Sequence, residues 1–417
     1  MNSYELVIIG AGPAGSSAAI HAAQLGYTVA LIDAADFPRD KTCGDGLTPR
    51  AMKELATLGL TDSLPYRNQG LSLAGFGVSV KCPWPEGMEG SASRRMTLDN
   101  MLFHRATNKP NVEAYTGSPV SDVSFHSSGS LSTVTLANGT VISGTYFIIA
   151  DGVRSQVGKM LGRTWHRGTI YGIAARAYCS TPMADYPWIH SDLELREPDG
   201  TLQPGYGWIF PLGAEDGYAN VGCGALSTAA RTAQINTKKL LRHYVDMKNS
   251  EDNGMSWQFG APENIASALL PMGGAVSNIS GPNWILIGDA AACVNPLNGE
   301  GIDYALETAR LGVGLIDSVY GAHGGSSSVS HLRWLWPQIL RAEYGEAFSL
   351  ARQAAILLTY PRMIRYGGPL VMRAGLMPIA ARLMGNLVFE EDKDLIAKFW
   401  RTAGKAACRI DSQPLWG

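Results

Sequence analysis

The chain opens with three glycines and an acid whose spacing could bind a nucleotide. Gly10, Gly12 and Gly15 follow one apolar run, and Asp33 follows the next. Glycines at this spacing let a strand turn sharply into a helix and let a pyrophosphate approach the helix N-terminus, while the acid can accept hydrogen bonds from a ribose. The pattern predicts a strand, a turn, a helix and a second strand around a dinucleotide. The predicted contacts are Gly10, Gly12, Ala14, Gly15, Asp33 and Ala34.

A glycine loop that carries a cysteine follows the second apolar run. Cys43, Gly44 and Asp45 lie close to the basic residues Arg39 and Lys41. Glycines let such a loop approach a ligand, and a thiol among cations can be exposed with its pKa lowered. A lone cysteine more often packs inertly, but these neighbours make Cys43 the candidate reactive thiol, with an expected lowering of its pKa. The residues assigned to cofactor binding are Cys43, Gly44 and Asp45 of this loop, together with Arg95 further along the chain.

Two further acids stand where buried parallel strands would end. Asp151 follows the apolar run 146–150, and Asp289 follows the run 284–287. The carboxyl ends of parallel strands form the ligand edge of a doubly wound sheet. The turn at Gly299 and Gly301 then opens a helix, whose N–H groups can face the negative pyrimidine edge of a reduced flavin, which favours FAD over NAD. The predicted contacts are Asp151, Gly152, Gly288, Asp289, Pro296, Gly299, Glu300, Gly301 and Ile302.

Large aromatic residues alternate along one predicted strand in the middle of the chain. Tyr206, Trp208 and Phe210 would share one face of it, followed by Pro211. They would either pack in a sheet core or form an apolar wall that faces a ligand. The surrounding residues 166–270 are strand-like, with one helix predicted at 229–247.

The composition excludes several classes of protein. Lys and Arg number 34 against 36 Asp and Glu, so there is no basic field for nucleic acid. Six scattered cysteines form no CxxC pair, which argues against a metal site and a disulfide scaffold and favours a reducing cytoplasm. The first strand begins beside Met1, which leaves no room for a signal peptide, and no apolar run approaches the roughly 18 residues of a membrane span. A monomer is expected.

The C-terminal part has a composition suited to a lipid surface. Residues 347–389 contain no Asp or Glu, and five arginines interrupt their apolar stretches. Broken basic amphipathic helices can lie in the interface of an anionic membrane with Arg at the headgroups, or they can cap the protein and bury their apolar faces in it. We expect peripheral attachment to the cytoplasmic face of the cell membrane. The five arginines are Arg352, Arg362, Arg365, Arg373 and Arg382.

The three segments that contain Gly10, Asp151 and Asp289 resemble the fingerprints of the FAD-dependent group that includes p-hydroxybenzoate hydroxylase. The resemblance implies that the first segment binds the ADP half, the second lies near the cofactor and the third holds the ribityl chain. The residues 41–50 and the aromatic strand 206–211 are similar to those of the geranylgeranyl reductase family. They are most similar to its actinobacterial branch, which saturates one isoprene unit of menaquinone.

Together these patterns predict a mixed α/β (α+β) fold with three parts. A Rossmann-like FAD-binding domain comprises 1–66, 93–165 and 268–325, and an inserted antiparallel β-sheet substrate domain comprises 67–92 and 166–267. Residues 326–417 are expected to form a helical, membrane-facing region.

The resemblance implies an enzyme that reduces an isoprenoid double bond with hydride from reduced FAD and a proton. An isolated trisubstituted alkene accepts hydride poorly, so the proton must arrive with it, and aromatic faces can stabilise the developing positive charge. The candidate catalytic residues are Cys43, Tyr206 and Trp208. The candidate substrate contacts are Tyr206, Trp208, Phe210 and Pro211. The proton source stays open among Cys43, Tyr206, a flavin-bound proton and water.

The predicted substrate is the menaquinone side chain, and three alternatives stay open. The first is geranylgeranyl diphosphate or a geranylgeranylated lipid. The second is a flavin monooxygenase or halogenase, although a halogenase would be expected to have Trp-x-Trp-x-Ile-Pro at the aromatic strand. The third is a non-catalytic flavin- or lipid-binding membrane protein. The reductant would be NADPH or a ferredoxin-like donor, since the chain has no second complete nucleotide fingerprint.

Overall fold

The computed structural model describes residues 2–250, 256–323, 331–384, 392–411 and 414–417. Most of its strands form two seven-stranded sheets. The strands are β1 (Asn2–Ile9), β2 (Val29–Ile32), β3 (Gly46–Leu47), β4 (Gly70–Gly75), β5 (Val78–Pro83), β6 (Ser91–Ala92), β7 (Val112–Tyr115), β8 (Val120–Phe125), β9 (Leu131–Leu136), β10 (Val141–Ile149), β11 (Thr164–Trp165), β12 (Tyr171–Ser180), β13 (Ile189–Asp192), β14 (Gly205–Pro211), β15 (Tyr218–Ser227), β16 (Glu263–Pro271), β17 (Val276–Ser277) and β18 (Trp284–Leu286).

Helices cover the first sheet and form the C-terminal part. They are α1 (Pro13–Gln24), α2 (Pro49–Thr57), α3 (Arg95–Thr107), α4 (Gln156–Met160), α5 (Thr237–Ser250), α6 (Ile302–His323), α7 (His331–Leu358), α8 (Gly368–Arg373), α9 (Met377–Met384) and α10 (Leu395–Ile410). Single helical turns occur at Thr61–Ser63, Gly288–Ala291 and Met363–Gly367.

The first sheet has the order β7-β2-β1-β10-β9-β8, and β18 pairs with the second half of β10. The strands β7, β2, β1, β10 and β18 are parallel, and β2 is buried along its whole length, as expected when helices cover both faces. The register places the strand ends side by side. Ile9 pairs with both Ile32 and Ile149, and Ile149 pairs with Leu286.

Local sequence sets the start of the helices that border this edge. Helix α1 begins at Pro13 directly after the glycine turn, and its N-terminus has no side-chain cap. Helix α2 begins at Pro49, and the Thr48 hydroxyl accepts a hydrogen bond from the N–H of Ala51. The first helix therefore presents free N–H groups to the strand ends, whereas the second has its own cap.

The second sheet has the order β16-β12-β15-β14-β13-β4-β5 and is antiparallel except for the pair β13 and β4. One of its faces packs against α5, which buries Leu240, Leu241, Tyr244 and Val245. The predicted mixed α/β fold is confirmed, while the predicted domain limits stay predictions. The helix predicted at 229–247 was placed too early, because it begins at Thr237 after an irregular segment.

The C-terminal helices lie against both sheets. The long helix α7 packs on β18 and α10, and the short helices α8 and α9 pack on the β4–β5 hairpin. The chain then returns to the first sheet, where the indole N–H of Trp416 donates to the carbonyl of Ala291 over 2.7 Å. No helix in the described ranges is both long and apolar enough to cross a membrane.

Candidate active site

A continuous cavity of about 870 Å³ runs from the strand ends of the first sheet to the face of the second. Its first half is polar and is bordered by Gly10, Asp33, Asp151 and Asp289, which the strand register brings to one edge. Its second half continues past the aromatic strand β14 and under the C-terminal helices. A long ligand could therefore occupy both halves at once.

The glycine turn at the polar end contains two kinds of glycine. A Cβ at Gly15 would stand 1.7 Å from the carbonyl oxygen of Gly10, so Gly15 is required for packing the helix on the strand. A Cβ at Gly12 would meet first the Arg39 side chain, at 3.5 Å, and would point into the cavity. Space beside Gly12 and the free N–H groups of α1 form a cradle for a pyrophosphate.

Cations and acids alternate along this part of the cavity. The guanidinium of Arg39 bonds to Asp33 over 3.3 Å and to Asp99 over 3.0 Å. Arg95 holds the same Asp99 through two hydrogen bonds of 2.7 and 2.9 Å. Asp33 also accepts the N–H of Ala11 over 2.8 Å. Arg39 and Arg95 are thus positioned to neutralise a bound anion.

Asp151 and Asp289 lie at the ends of neighbouring strands but have different surroundings. One oxygen of Asp151 accepts the N–H of Val157 over 2.9 Å at the start of α4, and the other is buried without a partner in the described residues. Burial raises the pKa of Asp289, although Lys41 and Arg95 partly offset the shift. Burial lowers the pKa of Lys41.

The turn before α6 and the first turn of that helix bring two more acids to the cavity. Glu300 is half-buried and Asp303 is buried, and each has one buried oxygen without a hydrogen-bond partner in the described part of the chain. Burial raises the pKa of Glu300 and raises that of Asp303 to about 7. Such groups can be neutral near pH 7 and can then donate a hydrogen bond to a ligand.

The Cys43 loop is held by an amide on the second sheet. Asn220 donates to the Cys43 carbonyl over 2.9 Å and to the Asp45 carboxylate over 2.8 Å. The hydroxyl of Tyr178 donates to the same Asp45 oxygen over 2.8 Å. The expected lowering of the Cys43 pKa was wrong, because burial raises this pKa despite the nearby Arg95. Cys43 therefore stays a thiol at neutral pH.

The aromatic residues of β14 share one face, as predicted. The ring centroids of Tyr206 and Trp208 are 5.8 Å apart, and those of Trp208 and Phe210 are 6.2 Å apart. A Cβ on Gly46 would come within 3.0 Å of the Phe210 ring, so the glycines of the Cys43 loop let it lie directly on this wall. The apolar wall that faces the cavity is thus formed by Tyr206, Trp208 and Phe210.

The far half of the cavity is closed by apolar side chains from two sides. Leu71, Leu73 and Leu193 extend the sheet wall beyond Phe210. Residues of the C-terminal helices lie opposite, and the tip of the β4–β5 hairpin touches them, since a Cβ on Gly368 would stand 2.5 Å from the Phe76 ring. The lining residues of these helices are Leu358, Met363, Ile364, Gly367, Gly368, Val371, Met372, Met377 and Ala380.

Most residues predicted for the site line this cavity. The exceptions, which do not line it, are Gly15, Gly288, Pro296 and Pro211. The lining set is Gly10, Gly12, Ala14, Asp33, Ala34, Cys43, Gly44, Asp45, Arg95, Asp151, Gly152, Asp289, Gly299, Glu300, Gly301, Ile302, Tyr206, Trp208 and Phe210. Their individual roles stay predictions.

Sequence reasoning missed the residues that hold the site residues in place. Asn220 and Tyr178 come from the second sheet, and Asp99 comes from α3. Asn220 interrupts the apolar strand β15, and an amide in such a strand is a signal of a buried hydrogen-bond network. Nothing local marks Tyr178, because its partner Asp45 is 133 positions away. Asp99 lies one helical turn after Arg95, and this spacing was a local signal of their ion pair.

The described residues fit an FAD molecule. The cradle at Gly12 and the free N-terminus of α1 suit its pyrophosphate, and Arg39 and Arg95 supply positive charge. The unpartnered oxygens of Glu300 and Asp151 suit polar groups of a ligand that enters the polar half.

Comparison with known proteins agrees with this assignment. The family described as FAD binding domain matches residues 3–246. The chain is 50% identical over 98% of its length to a menaquinone reductase of Mycolicibacterium smegmatis, of which it covers 98%. It is 48% identical over 99% of its length to a menaquinone reductase of Mycobacterium tuberculosis, of which it also covers 98%.

Solved structures show the same fold at low sequence identity. A geranylgeranyl bacteriochlorophyll reductase-like protein from Thermoplasma acidophilum superposes with a TM-score of 0.77 at 19% identity, over 97% of this chain and 100% of that one. FAD is therefore the cofactor of the cavity. The chain belongs to the family of FAD-binding proteins and, within it, to the family that includes the menaquinone reductases of Mycolicibacterium smegmatis and Mycobacterium tuberculosis.

Proposed function

We propose that this protein is an FAD-dependent reductase that saturates a double bond in the isoprenoid side chain of menaquinone. The observation that carries the proposal is the continuity of the cavity, in which the polar cofactor half opens directly into an apolar half walled by Tyr206, Trp208 and Phe210. The full-length identity of 50% to a protein named menaquinone reductase supports the same substrate.

The charge of the cavity favours a neutral chain over a diphosphate. The far half, formed by β4, β13 and the C-terminal helices, is lined by apolar residues together with Trp84 and Ser191, and none of its described lining residues is Lys or Arg. Burying a diphosphate there would leave its charges without partners, which is strongly unfavourable. Geranylgeranyl diphosphate would have to keep its head outside, whereas a quinone with an isoprenoid tail has no such charge.

The residues around the alkene position have separate tasks. Reduced FAD supplies the hydride when bound. The faces of Tyr206 and Trp208 can stabilise positive charge that develops on a substituted carbon. Trp208 is 7% exposed, so its ring is largely covered by its neighbours.

The proton donor of the site is the Cys43 thiol in this proposal. Burial keeps the thiol protonated, and Arg95 lies close enough to stabilise a transient thiolate. The hydroxyl of Tyr206 already donates to the carbonyl of Asn298, and its charged neighbour is the acid Glu300 rather than a cation, so a tyrosinate would be less stabilised than the Cys43 thiolate. Cys43 is therefore the better acid of the two candidates.

We propose that the protein acts at a membrane surface. The segment from α7 to α9 is apolar toward the cavity and also toward solvent, with Tyr366 71% and Leu370 69% exposed. Arg362, Arg365 and Arg373 are exposed beside them. We call the outward residues Leu357, Tyr360, Met363, Tyr366, Leu370 and Leu376 the rim patch. Lipid tails suit its apolar side chains and anionic headgroups suit its arginines.

Two arginines of this region do not face headgroups as expected. Arg352 is buried and bonds to Asp411 over 3.2 Å, so it joins α7 to the residue after α10. Arg382 pairs with Asp392 and Asp394 over 2.7 Å. Attachment to the cytoplasmic face of the membrane therefore depends on the remaining three arginines in this proposal.

An anaerobic product analysis tests the proposed reaction. The FAD-loaded protein is reduced with dithionite, which replaces NADPH or a ferredoxin-like donor as the proposed reductant, and is offered menaquinone in detergent beside geranylgeranyl diphosphate. Mass spectrometry should find one added pair of hydrogens on the menaquinone side chain that persists after the quinone ring is reoxidised. Trp208→Ala should lose this product while keeping its FAD.

Three other results would replace the proposal. Hydrogen gain by the diphosphate alone would assign the protein to geranylgeranyl diphosphate reduction. Oxygen consumption that matches product formation in air, with no anaerobic product, would assign it to the monooxygenases or halogenases. Bound FAD with no turnover under either condition would favour a non-catalytic lipid-binding protein.

A further inference from the structure

Asp45 is the acid of the cavity whose surroundings are least explained by cofactor binding. It is completely buried, it lines the cavity, and its backbone has a φ of 66°. A residue with a side chain rarely adopts this left-handed conformation, which costs on the order of 1 kcal/mol or more. The conformation turns the carboxyl group inward, beneath Cys43 and the aromatic wall.

The hydrogen bonds of Asp45 leave a single position for a proton. One carboxyl oxygen, Oδ2, accepts both the Tyr178 hydroxyl and the Asn220 amide over 2.8 Å. The other, Oδ1, is buried and has no hydrogen-bond partner in the described residues. Because Oδ2 is already engaged by two donors, a neutral Asp45 must carry its proton on Oδ1.

The charged neighbours of Asp45 are bound elsewhere. Arg95 from α3 pairs with Asp99, and Arg176 from β12 pairs with Asp40. Both influence Asp45 through space, but neither forms an ion pair with it among the described residues. The remaining titratable neighbours are Tyr178, which donates to it, and Cys43, whose thiol accepts the N–H of Asp45 over 3.4 Å.

We propose that Asp45 is the proton reservoir of the site, which returns a proton to Cys43 after the thiol has given its own proton to the substrate. The inference rests on the proposed reductase function. In each turnover the Cys43 S–H bond breaks and a C–H bond forms on one alkene carbon, while the hydride goes to the other carbon. The resulting thiolate takes the proton from Asp45 Oδ1 through a water molecule in the cavity that both residues line, because Oδ1 has no direct hydrogen bond to the thiol. The carboxylate regains a proton from solvent before the next turnover.

The electrostatic state of Asp45 suits this role. Burial raises its pKa to about 6, although the hydrogen bonds from Asn220 and Tyr178 oppose the shift. An acid in this range can release and regain a proton near neutral pH. The site would therefore be competent below the pKa of Asp45 and would slow as the pH rises through it.

A pair of variants separates a proton reservoir from a merely structural carboxylate. Asp45→Asn keeps the shape and the acceptor for Tyr178 but has no acidic proton. Tyr178→Phe removes one donor to the carboxylate but keeps the acid. If Asp45 is only structural, both variants should act alike. If Asp45 is the reservoir, Asp45→Asn should abolish the titration of this carboxyl group. Tyr178→Phe should instead raise its pKa, because the carboxylate loses one hydrogen-bond donor.

Two measurements on the FAD-loaded protein distinguish a proton reservoir from a structural carboxylate. Infrared difference spectra across a pH titration should show a protonated carboxyl band that disappears as Asp45 ionises. The band should be missing in Asp45→Asn and should persist to higher pH in Tyr178→Phe. The steady-state rate of menaquinone reduction should fall about 100-fold in Asp45→Asn, which is the low end of the effect of removing a general acid. The decrease of this rate at high pH should disappear in the variant. Its FAD content should be unchanged.

The outcomes are distinct from those of the proposed function. A wild-type protein that reduces no isoprenoid lipid overturns the reductase. A wild-type protein that reduces menaquinone, together with Asp45→Asn at an unchanged rate and pH profile, overturns the reservoir alone. A carboxyl band that survives in Asp45→Asn also overturns the reservoir, because the proton then belongs to another acid such as Asp303.

Discussion

The indole N–H of Trp208 donates to the side-chain oxygen of Asn220 over 2.9 Å, and the other end of that amide holds the Cys43 loop. One amide thus joins the aromatic wall to the loop that carries the thiol. A Cβ on Gly222, which pairs with Trp208 across the sheet, would stand 2.1 Å from the indole. The indole is therefore fixed from two sides, and its position depends on the second sheet rather than on the cofactor.

Asn220→Ala should impair both stability and turnover. It leaves the Trp208 N–H and the Cys43 carbonyl without their partner, at a cost of about 1–3 kcal/mol for each buried group. Asn283→Ala is the control, because Asn283 is equally buried and bonds to Leu131 and Thr145 far from the aromatic wall. Urea unfolding should show both losses, whereas the single-turnover rate should fall only in Asn220→Ala. Equal single-turnover rates in the two variants would show that the Asn220 amide does not contribute to the reaction.

The two glycines of the first turn should respond differently to alanine. Gly15→Ala places a Cβ against the Gly10 carbonyl and should prevent folding. Gly12→Ala meets only the end of a flexible side chain and should fold, but its methyl group would occupy the cradle for the pyrophosphate. Circular dichroism of the FAD-free proteins and FAD titration measure the two effects. Normal FAD affinity in Gly12→Ala would place the pyrophosphate elsewhere.

Asp45→Asn should stabilise the FAD-free protein at neutral pH. The folded-state pKa of Asp45 is raised to about 6, so the folded state keeps a proton that the unfolded state has lost. Stability therefore falls as the pH rises from the unfolded pKa through the folded one, and the variant lacks this loss. Between about pH 4 and pH 7 the gain of the variant over wild type should grow by on the order of 3 kcal/mol. A difference in the free energy of unfolding between the two proteins that stays constant across this pH range would show that burial does not destabilise the ionised Asp45 carboxylate.

Two ion pairs between α2 and α6 offer a test of burial. Arg50 pairs with Glu307 over 2.6 Å where both side chains are largely covered, and Tyr344 donates to the same acid. Arg310 pairs with Glu54 over 2.8 Å but is 48% exposed. Arg50→Ala should cost about 3–5 kcal/mol, because it leaves a buried charge. Arg310→Ala should cost less than Arg50→Ala, because water can reach the position of the exposed guanidinium, although Glu54 is itself only 7% exposed. Denaturant unfolding measures both, and equal costs would contradict this assignment.

The rim patch should decide binding to vesicles. Leu370→Ser combined with Tyr366→Ser removes its two most exposed apolar side chains and should lower co-sedimentation with anionic vesicles without changing FAD content. Phe125→Ser is the control, since Phe125 is 50% exposed on the edge strand β8 of the first sheet. If all three proteins bind vesicles equally, another surface meets the membrane.

The polar half of the site was accessible from the sequence because each segment is local. A strand, a turn and an acid follow one another around Gly10, and again at Asp151 and Asp289, so that periodicity and glycine spacing suffice. The register between strands then brings the three segments together, as the pairing of Ile9 with Ile32 and Ile149 shows.

The support of the site was not accessible, because it depends on long-range contacts. Asn220 and Cys43 are separated by 177 positions in the chain, and Tyr178 and Asp45 by 133. The wrong expectation for Cys43 has the same origin. Basic neighbours in the sequence suggested a low pKa, whereas burial beneath the second sheet raises it.

The anchoring of Trp416 has a consequence for the order of biosynthesis. Its indole is 2% exposed and donates to the carbonyl of Ala291, the last residue of the Gly288–Ala291 turn that carries Asp289. This corner of the cofactor cavity is therefore supported by a residue that lies 125 positions further along the chain. A ribosome releases the glycine turn around Gly10 long before it releases Trp416, so the complete support for FAD forms late in synthesis and flavin loading follows it.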